Sequence, residues 1–205
     1  MFVAIAGNIG SGKSSLTSLL HQEFGWTPHF ESVDDNPYLW DFYADMKRWS
    51  FHLQVYFLSK RFNLHRGIAE GKTSVVQDRS IYEDAEIFAL NLHRIGRMDD
   101  RDYENYRSLY AAMTSYLRPP DLLVYLRASI PTLQRQIRLR GREFEQSIEV
   151  SYLEQLNALY EDWIQRYSLG PVLVIDSDES DFVHDMQKQE EVLYSIEHVT
   201  HNRQR

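Results

Sequence analysis

A glycine-rich segment near the amino terminus constrains the fold of this chain more than any other feature. Residues 7–14, GNIGSGKS, match the pattern G-x-x-x-x-G-K-[ST]. An apolar run at 2–6 precedes them, and a segment at 15–24 follows in which leucines recur three and four residues apart. This order predicts a buried strand, a phosphate-binding loop (P-loop) and a helix. The alternative is a glycine-rich turn with an incidental lysine, and the flanking patterns argue against it.

The chemistry of this loop predicts a nucleoside triphosphate as ligand. Glycines let the backbone approach phosphate oxygens closely and permit positive φ angles, so that N–H groups of the loop and the helix N-terminus point at the anion. We expect Lys13 to reach the β- and γ-phosphates and the Ser14 hydroxyl to bind Mg²⁺. The predicted nucleotide-binding residues of the loop are Gly7, Asn8, Ile9, Gly10, Ser11, Gly12, Lys13, Ser14 and Ser15.

Apolar runs and helical patterns alternate along the rest of the chain, which predicts one α/β domain over residues 1–205. The predicted strands are 2–6, 27–31, 73–77, 121–126 and 171–175, and the predicted helices are 15–24, 38–69, 81–92, 103–117, 131–140, 149–167 and 181–197. Such alternation is typical of a parallel sheet with helices on both faces. Ligands bind beyond the carboxyl ends of the strands in such sheets, so the site is expected there.

Composition limits the partners of the chain. The formal net charge is −8, which argues against a nucleic-acid surface. The sequence contains no cysteine, no apolar run long enough for a membrane span and no N-terminal signal-peptide pattern, so we expect a cytoplasmic protein. Four arginines nevertheless crowd into eight residues, at positions 135, 138, 140 and 142. They serve either solubility or a small anionic ligand.

Polar residues follow two of the predicted strands. Asp78 and Ser80 are good helix N-cap residues, but beside a P-loop Asp78 is also a candidate Mg²⁺ partner. Arg79 is then placed to neutralise charge on a transferred phosphoryl group. Glu31 is either a surface glutamate or the base that takes a proton from an acceptor hydroxyl. The predicted catalytic residues are Lys13, Glu31 and Arg79, and the predicted metal-binding residues are Ser14 and Asp78.

Two predicted helices carry polar residues amid apolar ones. Gln54 and Arg61 lie seven residues apart, and Asp84 and Phe88 lie four apart, so each pair shares a helix face. Glutamine can bind the edge of a nucleobase, and a phenylalanine ring offers a stacking surface. Arg61 and Asp84 could bind each other. The alternative is two ordinary amphipathic helices.

The chain resembles the deoxynucleoside kinase family, which includes animal deoxycytidine and deoxyguanosine kinases and small bacterial deoxyadenosine/deoxyguanosine kinases. The resemblance rests on GNIGSGKS, FESVDDNPY at 30–38, Tyr43 eleven residues before Gln54, DRSIYED at 78–84 and RGREFEQ at 140–146. The bacterial purine kinases share the Asn-Pro-Tyr continuation of the acidic segment. The resemblance implies a three-layer P-loop kinase fold, a five-stranded parallel sheet flanked by helices, and a short arginine-rich lid at about 138–148.

The resemblance also implies roles for individual residues. Glu31 would take the proton of the 5′-hydroxyl, Arg79 would hold that hydroxyl and the phosphates, and Asp78 would lie near Mg²⁺. Tyr43 and Glu145 would bind the sugar 3′-hydroxyl, and Phe88 would stack on the base. Gln54, Arg61 and Asp84 would bind the edge of the base. The implied substrate-binding residues are therefore Glu31, Tyr43, Gln54, Arg61, Arg79, Asp84, Phe88 and Glu145. The implied donor-binding residues beyond the P-loop are Arg140, Arg142, Asp181 and Phe182. The chain departs from the family pattern at Ser32, Asp78, Gln136 and Phe144, and Arg135 or Arg138 would compensate for Gln136.

The predicted activity is transfer of the γ-phosphoryl group of ATP, with Mg²⁺, to the 5′-hydroxyl of a deoxynucleoside. A purine is expected, deoxyadenosine first, with deoxyguanosine or deoxycytidine as alternatives. A nucleoside-monophosphate kinase of the thymidylate type would need an anion site where Glu31, Asp34 and Asp35 stand. A non-catalytic nucleotide-binding switch is the other rival. A homodimer through two long helices is expected from the resemblance, and the apolar surplus at 81–92 is compatible with it.

Overall fold

The sheet is parallel throughout, with strand order β2-β3-β1-β4-β5, in a computed structural model that describes residues 1–31 and 36–201. Within those residues the strands are β1 (Phe2–Gly7), β2 (Thr27–His29), β3 (Val75–Asp78), β4 (Leu122–Arg127) and β5 (Val172–Asp176). The predicted five-stranded parallel sheet is therefore confirmed. β1 is central and entirely buried, as expected for a strand with helices on both sides.

Helices cover both faces of the sheet. They are α1 (Lys13–Phe24), α2 (Leu39–Ala44), α3 (Met46–Glu70), α4 (Ile81–Glu83), α5 (Leu90–Arg94), α6 (Asp100–Thr114), α7 (Ile130–Arg140), α8 (Val150–Arg166) and α9 (Met186–His201). Alternate residues of β1 point to opposite layers: Val3 and Ile5 pack against α1 and α9, whereas Phe2 and Ala4 join the core built with α3 and α8. No helix in the described part of the chain is long and apolar enough to cross a membrane.

Two predicted helices are interrupted in the structure. The helix expected over 38–69 is divided, because Asp45 adopts φ −145° and ψ 83° between α2 and α3, and its side chain accepts the Arg48 N–H as the cap of α3. The helix expected over 81–92 contains a π-helical segment, Asp84–Ala89, between α4 and α5. Such segments occur frequently at functional sites.

The apolar surplus in the second of these helices does not point to a dimer. Ile81, Ala85, Ile87 and Leu92 are all fully buried within the chain itself. Their apolar surface is already covered by the core, so it supplies no argument for a second subunit. The last predicted helix is displaced along the chain, since α9 begins at Met186 rather than at residue 181 and continues to His201.

The topology brings the predicted site residues to one edge. β1 lies beside β3 in register, with Ile5 opposite Asp78, so the loop after Gly7 and the residues after Asp78 emerge next to each other. β2 lies on the other side of β3 and ends at His29, so that Glu31 follows two residues beyond the strand rather than closing it. The site is thus built at the carboxyl ends of three adjacent strands.

Candidate active site

The P-loop has the conformation that its glycines predict. Gly7 and Gly10 have φ angles of 153° and 84°. A Cβ atom at Gly7 would lie 2.4 Å from Ser11 Oγ, and one at Gly10 would lie 2.8 Å from Leu133 O. Side chains therefore cannot be accommodated at either position without moving the loop.

Lys13 is the buried cation of the loop. Its Nζ donates a hydrogen bond to Asn8 O at 2.9 Å, and burial, followed by repulsion from Arg79, lowers the pKa of Lys13 to about 8. Asn8 in turn fastens the loop to α8, because its Nδ2 donates to Leu153 O at 3.0 Å and to Asn157 Oδ1 at 2.6 Å.

Ser14 and Asp78 lie together and offer two oxygen ligands for a metal ion. Ser14 Oγ donates to Asp78 Oδ2 at 2.6 Å, and Asp78 is 2% exposed. Asp78 Oδ1 is buried without a hydrogen-bond partner. A hydroxyl beside a carboxylate with an unsatisfied oxygen is the kind of donor set that suits Mg²⁺. Among the described residues, no group of three or more His, Cys, Asp or Glu side chains could hold a metal ion.

Arg79 occupies a strained position directly after β3. Its φ angle is 67°, in the left-handed region that a residue with a Cβ atom rarely adopts. The backbone N–H of Arg79 donates to Ile5 O at 2.9 Å, and Gln77 Nε2 donates to the Arg79 carbonyl at 2.9 Å. These two hydrogen bonds hold the Arg79 backbone in place. The guanidinium lies over the Phe88 ring, 4.4 Å from its centroid. Strain of this kind concentrates at functional sites.

Glu31 binds two arginines through one oxygen. Its Oε1 accepts a hydrogen bond from Arg61 Nη2 at 2.6 Å and lies 3.0 Å from Arg79 Nε. Arg79 Nε makes no hydrogen bond, because its N–H is not aimed at that oxygen. Burial alone would raise the pKa of Glu31, but Arg79, Arg61 and Lys13 outweigh burial and hold it well below its usual range. The side chain is therefore a carboxylate.

Arg61 also binds Asp84, as the sequence suggested. Arg61 Nε lies 2.6 Å from Asp84 Oδ2, and both side chains are buried. Burial raises the pKa of Asp84 to about 7, although the contact with Arg61 opposes that shift. Gln54 approaches from α3, is 3% exposed, and its Oε1 has no hydrogen-bond partner.

Residues of the predicted lid line the same pocket. Arg140 Nη2 and Arg142 Nη1 lie 2.5 and 3.4 Å from the two carboxylate oxygens of Glu145, which is 5% exposed. Phe144 stacks on the Tyr43 ring at a centroid distance of 5.6 Å. The lid arginines are thus joined to Glu145, and an aromatic contact ties the lid to α2.

One pocket unites all of the predicted catalytic, metal-binding and substrate-binding residues with part of the predicted donor site. The predicted residues that line it are Ile9, Lys13, Ser14, Glu31, Tyr43, Gln54, Arg61, Asp78, Arg79, Asp84, Phe88, Arg140, Arg142 and Glu145. Arg135 and Arg138 do not line it, so they do not compensate there for Gln136. Phe182 lies instead beside the P-loop, with its Cζ 3.3 Å from the position of a Cβ at Gly12, and Asp181 caps an exposed turn. Ser32, Asp34 and Asp35 lie outside the described residues.

Sequence reasoning missed several residues. Tyr152 from α8 lines the pocket. Glu83 and Tyr160 bind Arg79 from behind the pocket. The spacing of Ser80 and Glu83 matches the capping-box pattern S-x-x-E, which is a local signal for a Glu83 side chain that folds back on the Ser80 backbone. Nothing local marked Tyr160, whose partners are 77 and 81 residues away.

A phosphate-binding loop, a hydroxyl–carboxylate pair and an acceptor pocket that holds a carboxylate and cations define a P-loop kinase acting on a small molecule. The chain belongs to the deoxynucleoside kinase family, whose sequence model matches residues 3–201. The predicted family and the predicted ATP-dependent deoxynucleoside kinase activity are thereby confirmed. Both rivals, the monophosphate kinase and the non-catalytic switch, are set aside.

The relatives cover the chain nearly end to end. It is 42% identical over 205 residues to the deoxyadenosine/deoxycytidine kinase of Bacillus subtilis, covering 99% of this chain and 94% of that protein. It is 40% identical over 203 residues to a deoxyguanosine kinase of Lactobacillus acidophilus, with 95% and 88% covered. Among solved structures, deoxyadenosine kinase from M. mycoides with the products dCMP and a flexible dCDP superposes with a TM-score of 0.84 at 30% identity, over 95% of this chain and 97% of that one.

Proposed function

We propose that this deoxynucleoside kinase transfers the γ-phosphoryl group of ATP, with Mg²⁺, to the 5′-hydroxyl of a purine deoxynucleoside, deoxyadenosine first, in nucleotide salvage. One observation carries the proposal. Two buried polar atoms without hydrogen-bond partners, Gln54 Oε1 and Asp78 Oδ1, belong to side chains that line a single pocket. Since an unsatisfied buried polar atom costs about 1–3 kcal/mol, such atoms are expected where a ligand completes their bonding.

Glu31 is proposed to orient the 5′-hydroxyl and to receive its proton. Because its pKa is held below the usual range, Glu31 is ionised but is only a weak base. A weak base suffices for phosphoryl transfer, since the loose transition state needs little removal of the proton before the P–O bond breaks. Both arginines bind Oε1, so Oε2 is the oxygen assigned to the hydroxyl.

The cations of the pocket are proposed to stabilise the charge of the transferred group. Lys13 and Arg79 approach from the sheet side, and Arg140 and Arg142 approach from the lid at about 138–148. Ser14 and Asp78 are the residues proposed to hold Mg²⁺, which supplies charge neutralisation of the phosphate oxygens when bound.

The base edge is assigned to Gln54, Arg61 and Asp84, with Phe88 against its face and with Tyr43 and Glu145 at the sugar. Arg61 only donates hydrogen bonds, and Asp84, whose pKa is raised to about 7, only accepts them in its ionised form. Adenine and cytosine present an amino donor beside a ring-nitrogen acceptor, and this pattern suits the Arg61–Asp84 pair. Thymine does not present this pattern. The name of the Bacillus subtilis relative supports adenine and cytosine, and the neighbour from M. mycoides has also been solved with dATP, with a TM-score of 0.84 at 28% identity.

A panel of the four deoxynucleosides with ATP tests this assignment. Release of ADP is measured at several concentrations of each, with deoxyadenosine monophosphate as a fifth acceptor. The highest kcat/KM is expected with deoxyadenosine and the lowest with thymidine. Preference for thymidine would refute the assignment of the base edge, and phosphorylation of the monophosphate alone would refute the assignment of the acceptor hydroxyl.

We also propose that the protein is a cytoplasmic homodimer, in which each subunit is a single domain over residues 1–205. The dimer is supported by the family resemblance and the compartment by the absence of cysteine. Light scattering of the purified protein should give about twice the chain mass, and a monomer mass at micromolar concentration would refute the dimer.

A further inference from the structure

Arg79 is bound from behind the pocket by two buried residues, Glu83 at the end of α4 and Tyr160 on α8. Both are 0% exposed. Arg79 Nη1 donates a hydrogen bond to the Tyr160 hydroxyl at 2.8 Å, and that hydroxyl donates to Glu83 Oε1 at 2.8 Å. Nη1 itself lies 3.5 Å from the same Glu83 oxygen. The guanidinium therefore has a second carboxylate partner on the side away from Glu31.

The direction of these bonds is determined by chemistry. Arg79 can only donate, so the Tyr160 oxygen must accept from it. Burial raises the pKa of Tyr160 well above its usual value, so the phenol keeps its proton and donates it to Glu83. The hydroxyl is the one group in this chain of bonds that both accepts and donates.

Glu83 connects this chain of bonds to the P-loop. Its Oε1 also accepts the Gly7 N–H at 3.2 Å, and its Oε2 accepts the Ser80 N–H at 2.8 Å. One carboxylate thus contacts the first residue of the phosphate loop, the residue after Arg79 and, through Tyr160, the Arg79 side chain. These three segments are the ones whose relative placement decides where a phosphoryl group would meet the guanidinium.

The same face of α8 holds the loop at a second point. Asn157 and Tyr160 lie three residues apart, and Asn157 Oδ1 accepts from Asn8 Nδ2 at 2.6 Å. α8 therefore contacts the P-loop and Arg79 from one rigid element. Arg79 needs such support, because its left-handed backbone is not maintained by local preference.

We propose that Glu83 and Tyr160 are positioning residues for phosphoryl transfer, which hold the Arg79 guanidinium at a set place relative to the P-loop. The inference rests on the proposed role of Arg79. It predicts a loss of turnover without loss of binding, since displacement of a group by about 1 Å can cost about 100-fold in rate. A network that serves stability alone would lower the melting temperature and leave the kcat of the folded enzyme unchanged.

Tyr160→Phe tests the proposal, because it removes the hydroxyl and keeps the ring. We expect kcat to fall by about 10-fold to 100-fold, the effect of one hydrogen bond to a charged group, with the nucleoside KM changed by less than about threefold. Tyr125→Phe is the matched control. The Tyr125 ring is buried and stacks on Tyr160 at 5.7 Å, but its hydroxyl donates to Glu161 and does not touch Arg79. Its kcat should stay within about twofold of the parent value.

A double-mutant cycle with Arg79→Lys shows whether Tyr160 acts through Arg79. Tyr160→Phe should cost little further kcat in the Arg79→Lys background, because the bond it would disturb is already lost. Equal losses in both backgrounds, or a Tyr160→Phe kcat equal to that of the control, overturn the proposal. Arg79→Lys with normal kcat would instead overturn the role of Arg79 in the proposed function. If Tyr160→Phe does not fold, Glu83→Gln takes its place in the cycle, since an amide has one acceptor oxygen where the carboxylate has two, and the same loss is expected.

Discussion

Glu31→Gln is the substitution that bears most directly on the proposed chemistry. The amide has the size of the carboxylate but carries no charge and cannot take up the proton of the acceptor hydroxyl. General-base groups contribute about 10²-fold to 10⁴-fold to rate, so kcat should fall within that range. The KM values for nucleoside and ATP should change by less than about threefold, because the interaction strengthens mainly in the transition state.

The structure also sets the expected cost in stability. Removing one partner of a buried ion pair costs about 3–5 kcal/mol when the other charge is left alone. Neither guanidinium would be left alone here, since Arg61 keeps Asp84 at 2.6 Å and Arg79 keeps the Tyr160 hydroxyl at 2.8 Å. Glu31 is also 22% exposed, so water reaches it in part. We therefore expect a cost of about 1–2 kcal/mol, or about 2–8 °C in Tm for a chain of this size.

Steady-state ADP release at saturating ATP and deoxyadenosine measures kcat, and thermal melts confirm that the variant is folded at the assay temperature. Glu161→Gln is the matched control, because Glu161 also binds an arginine, Arg127, with contacts of 2.8 and 2.7 Å, but lies outside the pocket. The control should keep its kcat within about twofold. A Glu31→Gln kcat within about threefold of the parent value would refute the assignment of Glu31 as the base.

Three further changes probe the base edge, the loop cation and the metal site. Gln54→Leu should raise the nucleoside KM by about 10-fold to 100-fold without lowering Tm, because the lost oxygen has no partner in the ligand-free protein; a lowered Tm with unchanged KM would contradict this. The lowered pKa of Lys13 is about 8, so affinity for ATP should weaken as the pH rises through that value. The ammonium group then loses its proton and with it the positive charge that attracts the phosphates. Calorimetric titration measures that dependence, and Lys13→Arg should abolish it. Asp78→Asn should raise the Mg²⁺ concentration for half-maximal velocity by about 10-fold or more, because the remaining amide is a poorer ligand; an unchanged requirement would remove Asp78 from the metal site.

Local patterns were sufficient wherever the chemistry is contained in a short segment. The P-loop could be predicted because its glycines, Lys13 and Ser14 act within eight residues and lie between a strand and a helix that the same stretch specifies. The parallel sheet followed from the alternation of apolar runs and helical patterns. The placement of Glu31 and Asp78 at one edge followed from the rule that ligands bind beyond the strand ends.

Contacts between distant segments were harder to predict. Helix periodicity places Arg61 and Asp84 on helix faces, but their bond across 23 residues depends on how α3 meets the π-helical segment. The break at Asp45 was missed because the apolar spacing continues through it. The apolar surplus at 81–92 does not bear on a dimer for a related reason: periodicity cannot distinguish a helix buried in its own chain from one buried in a partner.

By itself, the sequence predicted a triphosphate site after the first strand and a carboxylate and cations at the same sheet edge. These features depend on residue type and short spacing, which the chain states directly. Only the tertiary structure decided that Glu31 shares one oxygen between two arginines and that Arg79 is held through Tyr160 by Glu83. Such geometry arises when segments about 30–80 residues apart pack together, and burial and neighbouring charges in that packing then set the charge state of each group together.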